Sequence, residues 1–282
     1  MTAALGSYLE ARCRAGEWLL RIEDVDQPRC QAGAAADILR TLEALGFTWD
    51  GEVIYQRLRT PRYRAALDQL IAAGAAFPCA CSRRELGLAG STAVDGGPRY
   101  PGTCRSGLPR GRSARAWRLR VSDETLTFSD ACQGEVAQHL QRDVGDFPLF
   151  RADGYFAYQL AVVVDDFEQG VTDVVRGADL LDSTPRQIFL QRCLGLPTPA
   201  YAHLPVAVNA AGEKLSKQTH AVAVDAGKAA PVLCAALDFL GQRPPPQLAQ
   251  VSLQELWAWA LAHWDLCKVP RQRTLPAGPQ PV

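Results

Sequence analysis

The segment "TAALGSYLEARCRAG" places Ala4, Leu5, Tyr8 and Leu9 at helical spacing and stops at Gly16, which predicts a helix at the start of the chain. "EWLLRI" follows as a short apolar strand, and "EDVDQPR" is a polar loop at its carboxyl end. "AGAAADILRTLEALG" predicts a second helix closed by Gly46, and a third opens at Thr60-Pro61 as cap and first-turn pair and runs to Gly74. This strand-then-helix rhythm predicts an α/β fold with an open, mainly parallel sheet, where ligands lie beyond the carboxyl ends of the strands.

The character changes from about residue 77 to 150. "CACSRRELGLAGSTAVDGGPRYPGTC" is rich in cysteine and glycine, and "ARAWRLRVSDETLTFSD" alternates like antiparallel strands joined by a turn, so an inserted subdomain is expected. Helical periodicity returns in "YFAYQLAVVVDDFEQG", then a strand "VTDVV", then a turn and a helix ending at Gly195. "AHLPVAVNAAGEK" is a strand entering a turn at Asn209 and Gly212, and residues 229–241 and 252–264 are helices, the last opened by a Ser252/Glu255 capping box.

Composition adds little that is specific. The chain of 282 residues is 48% hydrophobic and 21% charged, ordinary for a globular protein, and no apolar run approaches a membrane span. Without a signal peptide's basic start and cleavage site, a cytoplasmic location is expected. Thirty basic and thirty acidic residues balance, so net charge does not announce a nucleic-acid binder. Residues 105–120 are locally different, with six arginines and no acid, which suits either a phosphate-facing arm or a solvated one. Of nine cysteines, Cys13, Cys30, Cys132, Cys193, Cys234 and Cys267 stand alone and are expected to be small buried hydrophobes.

Four constellations carry candidate chemistry. Cys79, Cys81 and Cys104 form a donor set for one structural Zn²⁺, with Asp95, Tyr100 or a water as fourth ligand. Glu23, Asp24 and Asp26 gather at a strand's carboxyl end, where a carboxylate binds an ammonium group or Mg²⁺, or forms ion pairs with Arg21 and Arg29. Arg176 leaves a strand beside Gly177 and is placed to take a ligand carboxylate in two-point fashion, with Tyr158 in the helix before it and Asp179 to orient it. Finally, "NAAGEKLSKQ" presents Lys214, Ser216 and Lys217 on a turn, a set suited to phosphate oxygens and equally a solvated loop.

Taken in order, "RIEDVDQPR", "FAYQLAVVVDD", "VVRGADLLDSTPRQ" and "EKLSKQ" resemble the motifs of class I aminoacyl-tRNA synthetases of the glutamate type, over residues 2 to about 265. Only two helices and a tail follow the lysine loop, and "PCACSRR" with "RYPGTC" is similar to the zinc site of that family's short branch, which lacks the large anticodon-binding region. The resemblance implies a Rossmann-like catalytic domain in two halves (1–76 and 151–200), a zinc-bearing insertion (77–150), and a KMSKS-type loop with a small helical end (201–282). It implies Zn²⁺ on Cys79, Cys81, Tyr100 and Cys104, glutamate contacts from Glu23, Tyr158 and Arg176, and catalytic Lys214 and Lys217, with Lys217 on the ATP phosphates. The activity implied is ATP- and Mg²⁺-dependent activation of L-glutamate without tRNA, then glutamyl transfer to queuosine at the anticodon of tRNA(Asp), by a monomer. An inactive paralogue that binds tRNA or a partner, and a minimal tRNA(Glu)-charging enzyme, stay open as alternatives.

One segment departs from the family pattern. Met1 stands where the first strand and the His-Ile-Gly-His type loop of such enzymes have already ended, so that strand, the histidine pair and part of the glutamate site are expected to be missing through a late start or a truncation.

Overall fold

The computed structural model describes residues 1–88, 91–215 and 224–277. Its helices are α1 (Thr2–Cys13), α2 (Ala34–Ala44), α3 (Thr60–Ala72), α4 (Arg83–Leu88), α5 (Tyr158–Glu168), α6 (Thr184–Leu194), α7 (Ala229–Phe239) and α8 (Leu253–His263). Its strands are β1 (Leu19–Ile22), β2 (Asp50–Tyr55), β3 (Ala76–Cys79), β4 (Ala116–Leu119), β5 (Thr125–Asp130), β6 (Gly134–His139), β7 (Pro148–Phe150), β8 (Asp173–Gly177), β9 (Ala200–Leu204), β10 (Val206–Val208) and β11 (Thr274–Pro276). No helix among the described residues is long and apolar enough to cross a membrane.

The sheets divide by pairing direction. β1 and β2 pair in parallel, and β8 pairs in parallel with β9, which in turn meets β5 in parallel. Among the described strands, antiparallel ladders join β5 to β6 and β4 to both β3 and β7. The two strands expected in "ARAWRLRVSDETLTFSD" therefore form, but not as one hairpin: β4 joins β3 and β7, whereas β5 joins the sheet of β8 and β9. Alternation predicts the strands; it does not name their partners, because each face is satisfied by whichever apolar layer covers it.

A small apolar body surrounds the cysteines of the insertion, and two large ones cover these sheets. One gathers Tyr63, Leu67 and Leu70 of α3 with Leu160 to Val164 of α5 and Ile188 to Leu190 of α6. α5 is buried from Leu160 to Asp166, as a helix apolar on nearly all sides must be. The other body packs α1, α7 and α8 together, with Tyr8, Trp18, Phe47 and Trp257 in mutual edge and stacked contacts. Gly46 belongs to this cluster: it lies at φ 81°, and a Cβ there would come within 2.7 Å of the Trp257 indole nitrogen.

Two local expectations are corrected. Arg59, not Thr60, is the N-cap of α3, and Thr60 instead occupies the first helical turn with Pro61. Of the six solitary cysteines only Cys132 and Cys234 are buried, while Cys13, Cys30 and Cys267 are exposed and Cys193 is half-buried.

Fully buried Asp165 ties the helical layer together. Its carboxylate accepts from Gln56 Nε2 at 2.9 Å, the Tyr63 hydroxyl at 2.7 Å and Arg59 Nε at 2.6 Å. Asp165→Ala is expected to lower the free energy of unfolding by about 3 kcal/mol, because it strands two buried donors and removes a carboxylate from half-buried Arg59. Urea denaturation checks this, and a loss under about 1 kcal/mol would show that the carboxylate is dispensable.

Candidate active site

β1 and β8 run on either side of an open cleft of 580 Å³, and among the described residues no hydrogen-bonded ladder joins them. The cleft is walled by Leu19 to Arg21 and Glu23 on one side and by Val174 to Arg176 on the other, with Tyr158 and Asp166 of α5 also lining it. The sequence-predicted Glu23, Tyr158 and Arg176 are thus brought to one cavity from three separate segments.

Arg176 is the most constrained of them. It lies within β8, not after it, opposite His203 of β9 in the parallel register. Its Nε donates to His203 Nε2 at 3.1 Å, and its Nη2 donates to Thr184 Oγ1 at 2.8 Å and Gln187 Oε1 at 2.7 Å. Nη1 has only a long 3.4 Å contact with the Tyr158 hydroxyl. Three of the five guanidinium hydrogens are therefore committed to protein, and the guanidinium presents Nη1 beside a phenol. Burial, reinforced by Glu23, pushes the Tyr158 hydroxyl up to about 12, so it stays a donor. An N–H and an O–H side by side are a two-point donor set for a carboxylate, supplied by the two residues that the sequence had already put together as candidates.

The opposite wall is anionic. Arg21 donates to Asp166 Oδ1 at 2.7 Å, Gln169 Oε1 at 2.7 Å and Glu23 Oε1 at 3.3 Å. Burial raises the Glu23 carboxyl above its ordinary value, opposed by the Arg21 guanidinium beside it. Asp24 and Asp26 serve other ends. Asp24 accepts the Arg57 amide at 2.9 Å and pairs with its guanidinium, and Asp26 pairs with Arg151 at 2.6 Å.

The lysine loop leaves β10 through a tight turn in which Asn209 Oδ1 accepts the amides of Ala211 and Glu213. Lys214 pairs with Asp179, two residues past the end of β8, so Asp179 is engaged with the loop. Ser216 and Lys217 lie outside the described residues.

The three cysteines lie at the end of β3 and in the connection from β3 to β4, which also carries α4. The Sγ atoms of Cys79, Cys81 and Cys104 all lie within 4.8 Å of one another, and the three residues are buried. Cys81 and Cys104 Sγ are 3.8 Å apart, while the Tyr100 oxygen is 3.6 Å from Cys79 Sγ and 3.9 Å from Cys81 Sγ. Sulfurs on a tetrahedral Zn²⁺ with bonds of about 2.3 Å stand about 3.8 Å apart, so the donor set fits. Asp95 is turned away to Arg186, at 2.7 Å. Burial opposes ionisation of Cys79, yet the Cys81 amide, the Tyr100 hydroxyl and the Arg118 guanidinium together hold its thiol below the ordinary value.

Four of the six arginines between 105 and 120 bond to groups of the protein itself. Arg118 donates to Cys79 Sγ at 3.4 Å and to the Asp146 carbonyl, Arg120 to the Arg105 carbonyl, Arg105 to the Val121 carbonyl, and Arg112 pairs with Glu85. His203 and its partner Asp130 are the site residues that sequence reasoning missed. Their only signal was a histidine in an otherwise apolar strand, and nothing local marked an aspartate 73 positions away.

Over 273 residues the chain is 62% identical to the glutamyl-Q tRNA(Asp) synthetase of Dechloromonas aromatica, covering 96% of this chain and 91% of that protein. It is 59% identical over 272 residues to the glutamyl-Q tRNA(Asp) synthetase of Aromatoleum aromaticum, covering 96% and 86%. A glutamate tRNA ligase from Elizabethkingia meningosepticum, solved in complex with its amino acid, superposes with a TM-score of 0.77 at 22% identity. That likeness is one of fold; it covers 98% of this chain and 64% of the longer synthetase. Residues 1–231 match the family model of class I tRNA synthetases (E and Q), catalytic domain. The chain belongs to the class I tRNA synthetase (E and Q) catalytic-domain family.

Proposed function

We propose that the protein activates L-glutamate with ATP and Mg²⁺, without tRNA, and transfers the glutamyl group to queuosine in tRNA(Asp), as a cytoplasmic monomer. The observation that carries this reading is the charge division of the cleft: the Arg176 Nη1 and Tyr158 hydroxyl donors on one side, and Glu23 beside Arg21 and Asp166 on the other. An amino acid with a carboxylate side chain meets both walls. Arg176 and Tyr158 take the side-chain carboxylate, and Glu23 takes the α-ammonium. The α-carboxylate oxygen then attacks the α-phosphorus of ATP, the bond to the β-phosphate oxygen breaks, and pyrophosphate leaves. Lys217 is the group on the phosphates, and Lys214 sets its loop through Asp179. The relatives named glutamyl-Q tRNA(Asp) synthetase support queuosine in tRNA(Asp) as acceptor.

The test is glutamate-dependent ATP–pyrophosphate exchange without tRNA, followed by transfer of labelled glutamate to tRNA(Asp) with and without queuosine and to tRNA(Glu). Exchange plus transfer only to queuosine-containing tRNA(Asp) is expected; charging of tRNA(Glu) would replace the acceptor, and exchange with other amino acids at equal rates would sink the glutamate site. In the same assay Lys217→Ala should slow adenylate formation by about ten- to a thousandfold, the range for losing an electrostatic contact to a transition state. An unaltered rate would take the lysine out of catalysis.

Cys79, Cys81, Cys104 and Tyr100 are the ligands we propose for one Zn²⁺, which would supply no chemistry but would order the insertion. Cys104→Ser is expected to release about one equivalent of zinc, read by a colorimetric chelator, and to leave residues 80–115 open to protease. Unchanged metal content would remove Cys104 from the site.

A further inference from the structure

Arg176 cannot choose its own orientation: the atom that fixes its Nε is a ring nitrogen of fully buried His203, and that ring is fixed in turn by Asp130. His203 Nδ1 lies 2.6 Å from Asp130 Oδ2. A carboxylate oxygen only accepts, so Nδ1 carries a hydrogen. On the other edge of the ring, Nε2 lies 3.1 Å from Arg176 Nε, which only donates, so Nε2 carries a lone pair. Two contacts on opposite edges select one state, neutral with the hydrogen on Nδ1. The other neutral tautomer sets lone pair against carboxylate and N–H against N–H, and the imidazolium sets its Nε2–H against a guanidinium.

Asp130 is itself immobile. Its other oxygen, Oδ1, accepts the backbone amides of Cys132 at 3.0 Å, Gln133 at 2.8 Å and His203 at 3.1 Å, which anchors the carboxylate where β5 meets β9. The groups around the ring complete the setting. Thr184 Oγ1 is 3.0 Å from Nε2, Tyr201 stacks with the ring at 6.0 Å, and the charges facing it are Asp130, Arg176 and the more distant Asp179. Burial lowers the imidazole's basicity, and Arg176 adds to this against the pull of Asp130, which agrees with a neutral ring.

We propose that Asp130 and His203 are positioning residues for the carboxylate receptor: Asp130 fixes the His203 tautomer, and the bare Nε2 turns the Arg176 guanidinium so that Nη1 stands beside the Tyr158 hydroxyl. This rests on the glutamate reading of the cleft. The pair touches no substrate and acts only through Arg176, so it governs capture of the carboxylate and leaves the ATP side alone.

Asp130→Asn tests this with little change of shape, since an amide oxygen can keep the three backbone amides while its NH₂ replaces Oδ2. The amide then donates to Nδ1 and drives the hydrogen to Nε2, against Arg176. In ATP–pyrophosphate exchange the variant is expected to raise KM for glutamate about ten- to a hundredfold, the loss of one charge-assisted hydrogen bond, with KM for ATP and kcat within about twofold. The imidazole ¹⁵N shifts of His203, assigned with His203→Gln, are expected to show a protonated Nδ1 in the wild type and a protonated Nε2 in the variant. A wild-type Nε2–H tautomer overturns the proposal. So does a reversed tautomer with unchanged KM for glutamate, and so does a parallel fall of kcat and both affinities, which would mean general loosening. If Asp130→Asn does not fold, the wild-type tautomer decides alone. If the wild type shows no glutamate-dependent exchange, the glutamate reading fails, and the tautomer together with the Arg176 Nε–H resonance, sharp in the wild type and broadened in the variant, decides the relay.

Discussion

Two adjacent carboxylates, Asp165 and Asp166, sit in the last turns of α5, where the helix dipole disfavours negative charge and where both are buried. Such a pair is tolerable only if cations from elsewhere reach it. Arg59 meets Asp165 and Arg21 meets Asp166. These two bridges fasten the β1–β2 pair and the start of α3 to the helix behind β8. Because no ladder joins β1 to β8 among the described residues, the charges at the end of α5, with the packing of α1, set the width of the cleft between them.

The same requirement recurs deeper in the sheet. Asp130 and Arg176 are buried or half-buried opposite charges, and a neutral imidazole stands between them, bonded to both. The parallel register of β8 and β9 places Arg176 opposite His203, and the single β5–β9 pairing at Tyr201 brings Asp130 within reach. Strand pairing thus does the electrostatic arrangement: a shift of one residue in the β8–β9 ladder would put Arg176 and His203 on opposite faces and break their contact.

In the insertion the order of cause is different. There the three thiols and a phenol are assembled by a loop with little regular structure, and Arg118 of β4 lies over the Tyr100 ring at 4.2 Å while donating to Cys79. Along the chain that arginine stretch suits either a phosphate-facing arm or a solvated one; the fold engages Arg105, Arg118 and Arg120 with carbonyls and a thiol, and Arg112 in a surface pair with Glu85. Charge clusters in a sequence say nothing of which carbonyls and carboxylates will close around them.

Local pattern was enough for most elements, because helical spacing, Gly46, Gly195 and the Ser252/Glu255 capping box act within a few residues of one another. It was also enough for the family, since four ordered motifs survive any detail of packing. It placed Glu23, Tyr158 and Arg176 as candidates, and the cysteine triad with Tyr100 as a metal set. Tertiary structure alone decided that β4 and β5 part to different sheets, that Asp95 goes to Arg186, and that Arg176 Nη1 stands beside the Tyr158 hydroxyl. It alone revealed the Asp130–His203 pair. The physical reason is common to these cases: a buried polar atom takes the partner that the packed layers bring to it, and that partner is named by register and burial across tens of residues, not by its neighbours in the chain.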